Sequence, residues 1–201
     1  MPRKQRMYLP GIPCHIIQRG NNRETTFFND SDYQFYLECL DHAVNKYKAD
    51  IHAYVLMTNH VHILMTPLHK ESISLVMQSI GRRYVQYINK KHKRTGTLWE
   101  SRHKASLVDS EAYLLACSRY IEMNPVNANR VKHPSEYKWS SYKHNACGEL
   151  NKLICPHEIY IRLGPNDELR QQAYTSLFNV DVDIKETQFI RNAVCFSMPT
   201  G

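Results

Sequence analysis

Six cysteines are scattered through the 201-residue chain, and none form a Cys-x-x-Cys pair. Neither a zinc knuckle nor a disulfide framework is therefore expected, and free, mostly buried thiols are the default. No run of about 18 apolar residues occurs, so no membrane span is expected. The basic start, Met1-Pro-Arg-Lys-Gln-Arg-Met7, lacks an apolar signal core, which favours a protein that stays in the cytoplasm. Acids are also short: 19 Asp and Glu stand against 26 Lys and Arg, a net charge of +7 that points to an anionic partner, of which nucleic acid is the usual one. With 42% apolar and 22% charged residues the composition is that of a folded globular protein, with one core plus an extension expected.

The most informative stretch is Tyr54-Val-Leu-Met57-Thr-Asn-His60-Val-His62-Ile-Leu-Met65. Two short apolar runs meet at a polar turn, the pattern of buried strands. Residues two apart in a strand share a face about 6–7 Å apart, so His60 and His62 present two imidazoles side by side. With eleven histidines in the chain such a pair also arises by chance, as structural residues. Around it, Ile12 to Arg19 reads as a first strand, closed by Gly20-Asn21-Asn22-Arg23. That polar loop is either simply solvated or a backbone-rich grip for phosphates. Asp30-Ser31-Asp32 supplies N-cap candidates for a helix ending near Asp50, and Ser72 starts a second long helix. The order strand, helix, strand, strand, helix predicts an α+β, ferredoxin-like or RRM-like antiparallel sheet with helices on one face and the other left free. Residues 98–108 read as its last strand.

Arg82, Arg83, Lys90, Lys91, Lys93, Arg94, Arg102 and Lys104 face a single acid, Glu100, and Tyr84, Tyr87, His92 and Trp99 are interleaved with them. Cations that track phosphates, mixed with flat rings that stack on bases, suit single-stranded nucleic acid; the alternative is a solvated helix end. Asp109-Ser110-Glu111 caps a third helix, expected to stop near Asn124 because of Pro125. Tyr113, Cys117, Tyr120 and Asn124 share one arc of it at about 100° per residue. His60 and His62 can hold a cation, Asn124 can add an amide oxygen, and Tyr120, one turn before it, can attack a phosphorus that the cation polarises. Tyr113 is the rival nucleophile. Short helices are predicted over 156–163 and 166–178 and a final one over 183–195, dividing the chain into a catalytic part, 1–134, and an accessory helical C-terminal region, 135–201.

His60-Val61-His62 resembles the HUH motif, and Tyr120-Ile-Glu-Met-Asn124-Pro125-Val126 resembles the tyrosine motif of the REP-associated tyrosine transposases. The similarity continues through Gln18-Arg-Gly-Asn-Asn22, Gly96-Thr-Leu-Trp-Glu100 and Tyr137-Lys-Trp-Ser-Ser141, so it spans roughly residues 8 to 178. The resemblance implies a metal-dependent, single-tyrosine nuclease and strand transferase acting on single-stranded or hairpin DNA through a 5′-phosphotyrosine link. It implies Tyr120 as nucleophile, and His60, His62 and Asn124 as ligands of Mg2+ or Mn2+. DNA contacts are expected from Arg19, Asn21, Asn22, Arg23 and the basic segment with Trp99. No small-molecule substrate or membrane is implied, and either a monomer or a homodimer fits. The competing expectation is a non-catalytic RRM-like binding module with structural histidines. A zinc hydrolase fits less well, since no acidic third ligand lies near the His pair.

Overall fold

The structure, a computed structural model, describes residues 8–108 and 110–179, together with 188, 190 and 192. Asp109 and most of the final helix expected over 183–195 lie outside the described residues.

Strand β1 (Cys14–Arg19) leads into α1 (Asp30–Tyr47), whose N-terminus is fixed by a capping box between Asn29 and Asp32. The cap is thus one residue earlier than the Asp30-Ser31-Asp32 candidates. Lys48, left-handed at φ 58°, turns the chain directly into β2 (Ala49–Met57). Thr58 and Asn59 make the tight turn to β3 (His60–Pro67), with Met57 opposite His60. Helix α2 (Ser72–Lys91), β4 (Lys104–Leu107) and α3 (Glu111–Asn127) follow. The sheet runs β2-β3-β1-β4 with every neighbour antiparallel, the ferredoxin-like order expected from the sequence.

Strand alternation sorts the residues into two cores. Cys14, Ile16, Tyr54, Leu56, Val61, Ile63, Met65 and Ala105 pack against α1 and α2. Residues of the other parity face α3, where Ala53, Val55, Met57 and Leu64 meet Leu114, Cys117 and Ile121. The second face is therefore covered by the third helix over part of its area instead of lying bare. A bulge at His52 resets the alternation of β2 between Ile51 and Ala53.

Two expectations need correction. Helix α3 does not stop at Asn124 but continues through Pro125 to Asn127. Proline removes the N–H that the Ile121 carbonyl would accept; the Asn124 side-chain amide donates there instead, at 3.4 Å, and to the Tyr120 carbonyl at 2.8 Å. The last strand is also shorter than 98–108. Gly20 and Trp99 form an isolated bridge, Glu100 N–H bonds Arg19 O, and the chain then leaves the ladder while His103 turns to the Tyr8 hydroxyl, 2.6 Å away.

The C-terminal region packs along β2 and α3. Ser140 bridges Val55, Ile154 bridges Ile51, and the Tyr137 hydroxyl donates to Leu56 O, so the exposed edge of β2 is closed. Helices α4 (Tyr142–Cys147), α5 (Glu158–Ile161) and α6 (Asp167–Ser176) follow. Glu122, fully buried on α3, accepts from Ser141, Asn145 and Tyr174 and ties them together. Among the described residues no helix is long and apolar enough to cross a membrane.

Candidate active site

The parity that turns Val61 and Ile63 into the first core turns His60 and His62 towards α3. Their ring centroids are 5.1 Å apart and nearly perpendicular. Each ring is held by its Nδ1. His60 Nδ1 lies 2.7 Å from Asn59 Oδ1, and Asn59 in turn donates to Arg23 O, so the tight turn and the Gly20–Arg23 loop together orient it. His62 Nδ1 lies 2.9 Å from Nε2 of a third histidine, His15 of β1. Nε2 is then the nitrogen that His60 and His62 each have left for a ligand. Burial lowers the pKa of His60 to about 4, with Arg19 adding to the effect. Burial also takes His62 well below the ordinary value, helped by His60, His15 and Arg19, and takes His15 to about 3. All three rings are neutral near pH 7, the state in which imidazole ligates a cation.

Tyr120 closes the cluster from above. Its ring centroid lies 5.7 Å from His62 and 5.8 Å from His15, edge-on to both. Asn124, half-buried one turn later, has its amide N–H groups turned back on its own helix, which leaves the carbonyl oxygen to point elsewhere. Tyr113 stands seven residues before Tyr120, about 10 Å up the helix axis. Among the described residues no group of three or more His, Cys, Asp or Glu side chains is arranged to hold a metal.

A tyrosine set against paired histidines on a ferredoxin-like sheet is matched by sequence as well. The profile of the family described as "Transposase IS200 like" matches residues 9–124, more than half of the chain. The chain belongs to the IS200-like transposase family. No curated protein matches it in sequence. In fold it is similar to a REP-associated tyrosine transposase solved bound to a REP hairpin, with a TM-score of 0.64, 17% identity, and 79% of this chain and 93% of the other covered. Two weaker likenesses accompany it. They are a putative transposase from Deinococcus radiodurans (TM-score 0.41, 17% identity, 64% and 97% covered) and the tRNA(His) guanylyltransferase of Saccharomyces cerevisiae (0.42, 13%, 90% and 83%).

The expected DNA-contacting residues of this transposase do not form one surface. Arg19 and Lys104 have the parity of His62 and flank the histidines on the α3 side of the sheet. Asn21, Asn22 and Arg23 lie in the loop hydrogen-bonded to Asn59, and Gly20 is required there: a Cβ would meet Glu24 O at 2.4 Å. Exposed Arg82, Arg83 and Lys90 belong to α2, on the opposite side of the sheet, with Lys93 just beyond; Arg102 is exposed in the loop before β4. Arg94 is occupied over the Phe28 ring and near Glu24. Trp99 is corrected from stacking platform to core residue, 7% exposed and packed against Tyr84 and Tyr36. Lys91 is likewise committed, bonding the buried Asp32 carboxylate at 2.7 Å. Sequence reasoning missed His15, Asn59 and Glu122. His15 alternates in phase with Ile17 and Arg19, a signal that becomes visible only once β1 is known to pair with β3.

Proposed function

We propose that this transposase nicks and rejoins single-stranded hairpin DNA, with Tyr120 as nucleophile and His60, His62 and Asn124 as the ligands of a divalent cation, Mg2+ or Mn2+. The observation that carries the reading is the Tyr120 ring standing edge-on against His62 and His15. The donor set fits a cation: two neutral imidazoles whose Nδ1 atoms are already engaged, and an amide whose N–H groups are already used. A divalent ion held by these groups would draw charge from the scissile phosphate.

Tyr120 Oη forms a bond to phosphorus as the bond to the 3′ oxygen breaks. The phenol gives up its proton, the departing oxygen takes one up as a 3′-OH, and the 5′-phosphotyrosine link conserves the bond for the reverse step. Arg19 and Lys104, on the histidine side, hold backbone phosphates. The hairpin bound by the structurally similar tyrosine transposase supports the choice of partner. Residues 1–134 carry the chemistry, and Ser141, Asn145 and Tyr174 of the accessory C-terminal region brace the tyrosine helix through Glu122.

The test is a denaturing gel of end-labelled hairpin DNA from beside the protein's own gene, with and without Mn2+, incubated with wild type, Tyr120→Phe and Tyr113→Phe. The expected result is a Mn2+-dependent adduct lost only in Tyr120→Phe. If all three proteins bind the DNA equally and none forms an adduct, the chain is a binding module and the proposal fails.

A further inference from the structure

Beside the histidine pair, β1 and β4 hold two buried polar groups that the proposed reaction leaves unused. His15 is 0% and Ser106 3% exposed, and the two are direct partners across the β1–β4 ladder. His15 Nε2 meets His62 Nδ1 at 2.9 Å, whereas His15 Nδ1 and Ser106 Oγ have no hydrogen-bond partner among the described residues, each other included. Buried polar groups are normally paired. Opposite residues on one face are about 4.5–5.5 Å apart at Cβ, so rotation about the Ser106 Cα–Cβ bond is the one movement needed to bring its hydroxyl to the ring.

A neutral imidazole donates from one nitrogen and accepts at the other. If His15 Nε2–H donates to His62 Nδ1, the His62 proton sits on Nε2 and closes that nitrogen to a cation. If His62 Nδ1–H donates to His15 Nε2, His62 Nε2 is bare and His15 carries its own proton on Nδ1. That second arrangement needs an acceptor for the Nδ1 proton, and Ser106 is the polar neighbour that the ladder supplies.

We propose that Ser106 and His15 are positioning residues: Ser106 Oγ accepts from His15 Nδ1–H, His15 Nε2 accepts from His62 Nδ1–H, and this relay fixes His62 in the tautomer whose Nε2 is open to a divalent cation. The proposal rests on the metal-assisted reading of His62 given above. Its function is to prepare a ligand before the cation arrives, in the way outer partners of metal-binding histidines set ring orientation and tautomer.

The test uses the full chain labelled with 15N, free of metal and DNA at neutral pH, and long-range 1H–15N spectra that report each ring's tautomer, alongside calorimetric titration with MnCl2 alone. Wild type is expected to show both His15 and His62 protonated on Nδ1. His15→Phe, which keeps a ring but no acceptor, is expected to mix the His62 tautomers and weaken Mn2+ binding about 10- to 100-fold. His15→Gln, whose Oε1 can accept in place of Nε2, should hold Mn2+ affinity within about threefold of wild type, and Ser106→Ala should fall between the two. His62 protonated on Nε2 in wild type, or unchanged Mn2+ affinity in folded His15→Phe, overturns the relay. Nδ1-protonated His62 in a wild type that binds no Mn2+ supports the relay while overturning the metal reading of the site.

Discussion

The two faces of the sheet both pack against helices, one wholly and the other in part, and they carry different chemistry. Towards α1 and α2, Ile16, Val61 and Ile63 meet Tyr36, Leu40, Ile80 and Tyr84, all 0% exposed, in a core that is almost wholly apolar. Towards α3 the face is divided. Its β2 half is apolar, with Ala53, Val55 and Met57 seating Leu114, Cys117 and Ile121. Its β3-β1-β4 half presents His62, His15 and Ser106. Helix α3 straddles the division: one flank is anchored by packing, and Tyr120 is delivered over the polar half. A face that only stabilises can be filled with hydrocarbon, whereas the face proposed above to hold a cation and phosphate buries neutral imidazoles at the expense of their hydration.

The comparison can be broken hardest at Asp32, on the stabilising side. Its side chain is 0% exposed and accepts from Phe28 N, Asn29 N and Lys91. Burial pushes its pKa up, but the Lys91 hydrogen bond and those from the two backbone N–H groups outweigh burial and hold it below the ordinary value of 3.8. Its contribution is therefore complete above that value and lost as pH falls through the depressed one. Asp32→Ala strands a lysine and uncaps α1, and should cost about 3–5 kcal/mol in urea unfolding at pH 7, with adduct yield per folded molecule unchanged.

Glu122 sharpens the division on the tyrosine helix itself. Burial raises its pKa from 4.5 to about 7 against the hydrogen bonds from Ser141, Tyr174 and Asn145 that lower it. The folded protein keeps this proton where the unfolded chain has released it. Stability from the group is thus complete below pH 4.5 and is lost as pH rises through about 7, a change of about 3 kcal/mol. Unfolding curves of wild type and Glu122→Gln between pH 4.5 and 7 should differ by that slope, which the variant lacks.

A smaller effect separates two lysines of the basic segment. Lys104→Ala, on the histidine side, should lower the salt-dependence slope of hairpin binding by about 0.7–0.9, one phosphate contact, whereas Lys91→Ala should leave the slope unchanged and cost stability. Equal slopes in a salt titration of the two variants would erase the distinction between the sides.

How much of this was legible follows from range. The hairpin at Thr58-Asn59, the helix starts at Ser72 and Ser110 and the shared face of His60 and His62 are local patterns, and they hold. The partnership of His15 with His62 and with Ser106 depends on register between strands distant in sequence, which no local periodicity specifies. The role of Tyr84, Tyr87 and Trp99 is not legible locally, because rings between basic residues look alike whether they await a base or, as here, pack on Tyr36, Phe35 and one another. Glu122 gives no local signal of its role, because its three partners come from residues 141–174. Pro125 reads as a stop in the sequence because the bond from the Asn124 amide to Ile121 O that replaces the missing N–H is made by a side chain.

The most direct measurement takes two adjacent residues on opposite faces of β3, His62 and Ile63, and scores His62→Gln and Ile63→Ala for both urea unfolding and Mn2+-dependent adduct formation on hairpin DNA. The division of the faces predicts that Ile63→Ala loses about 2–5 kcal/mol of stability yet forms adduct normally per folded molecule. It predicts that His62→Gln stays folded, within about 1 kcal/mol of wild type, and forms none. An Ile63→Ala protein that is folded but inactive, or a His62→Gln protein that still forms the adduct, would contradict the account.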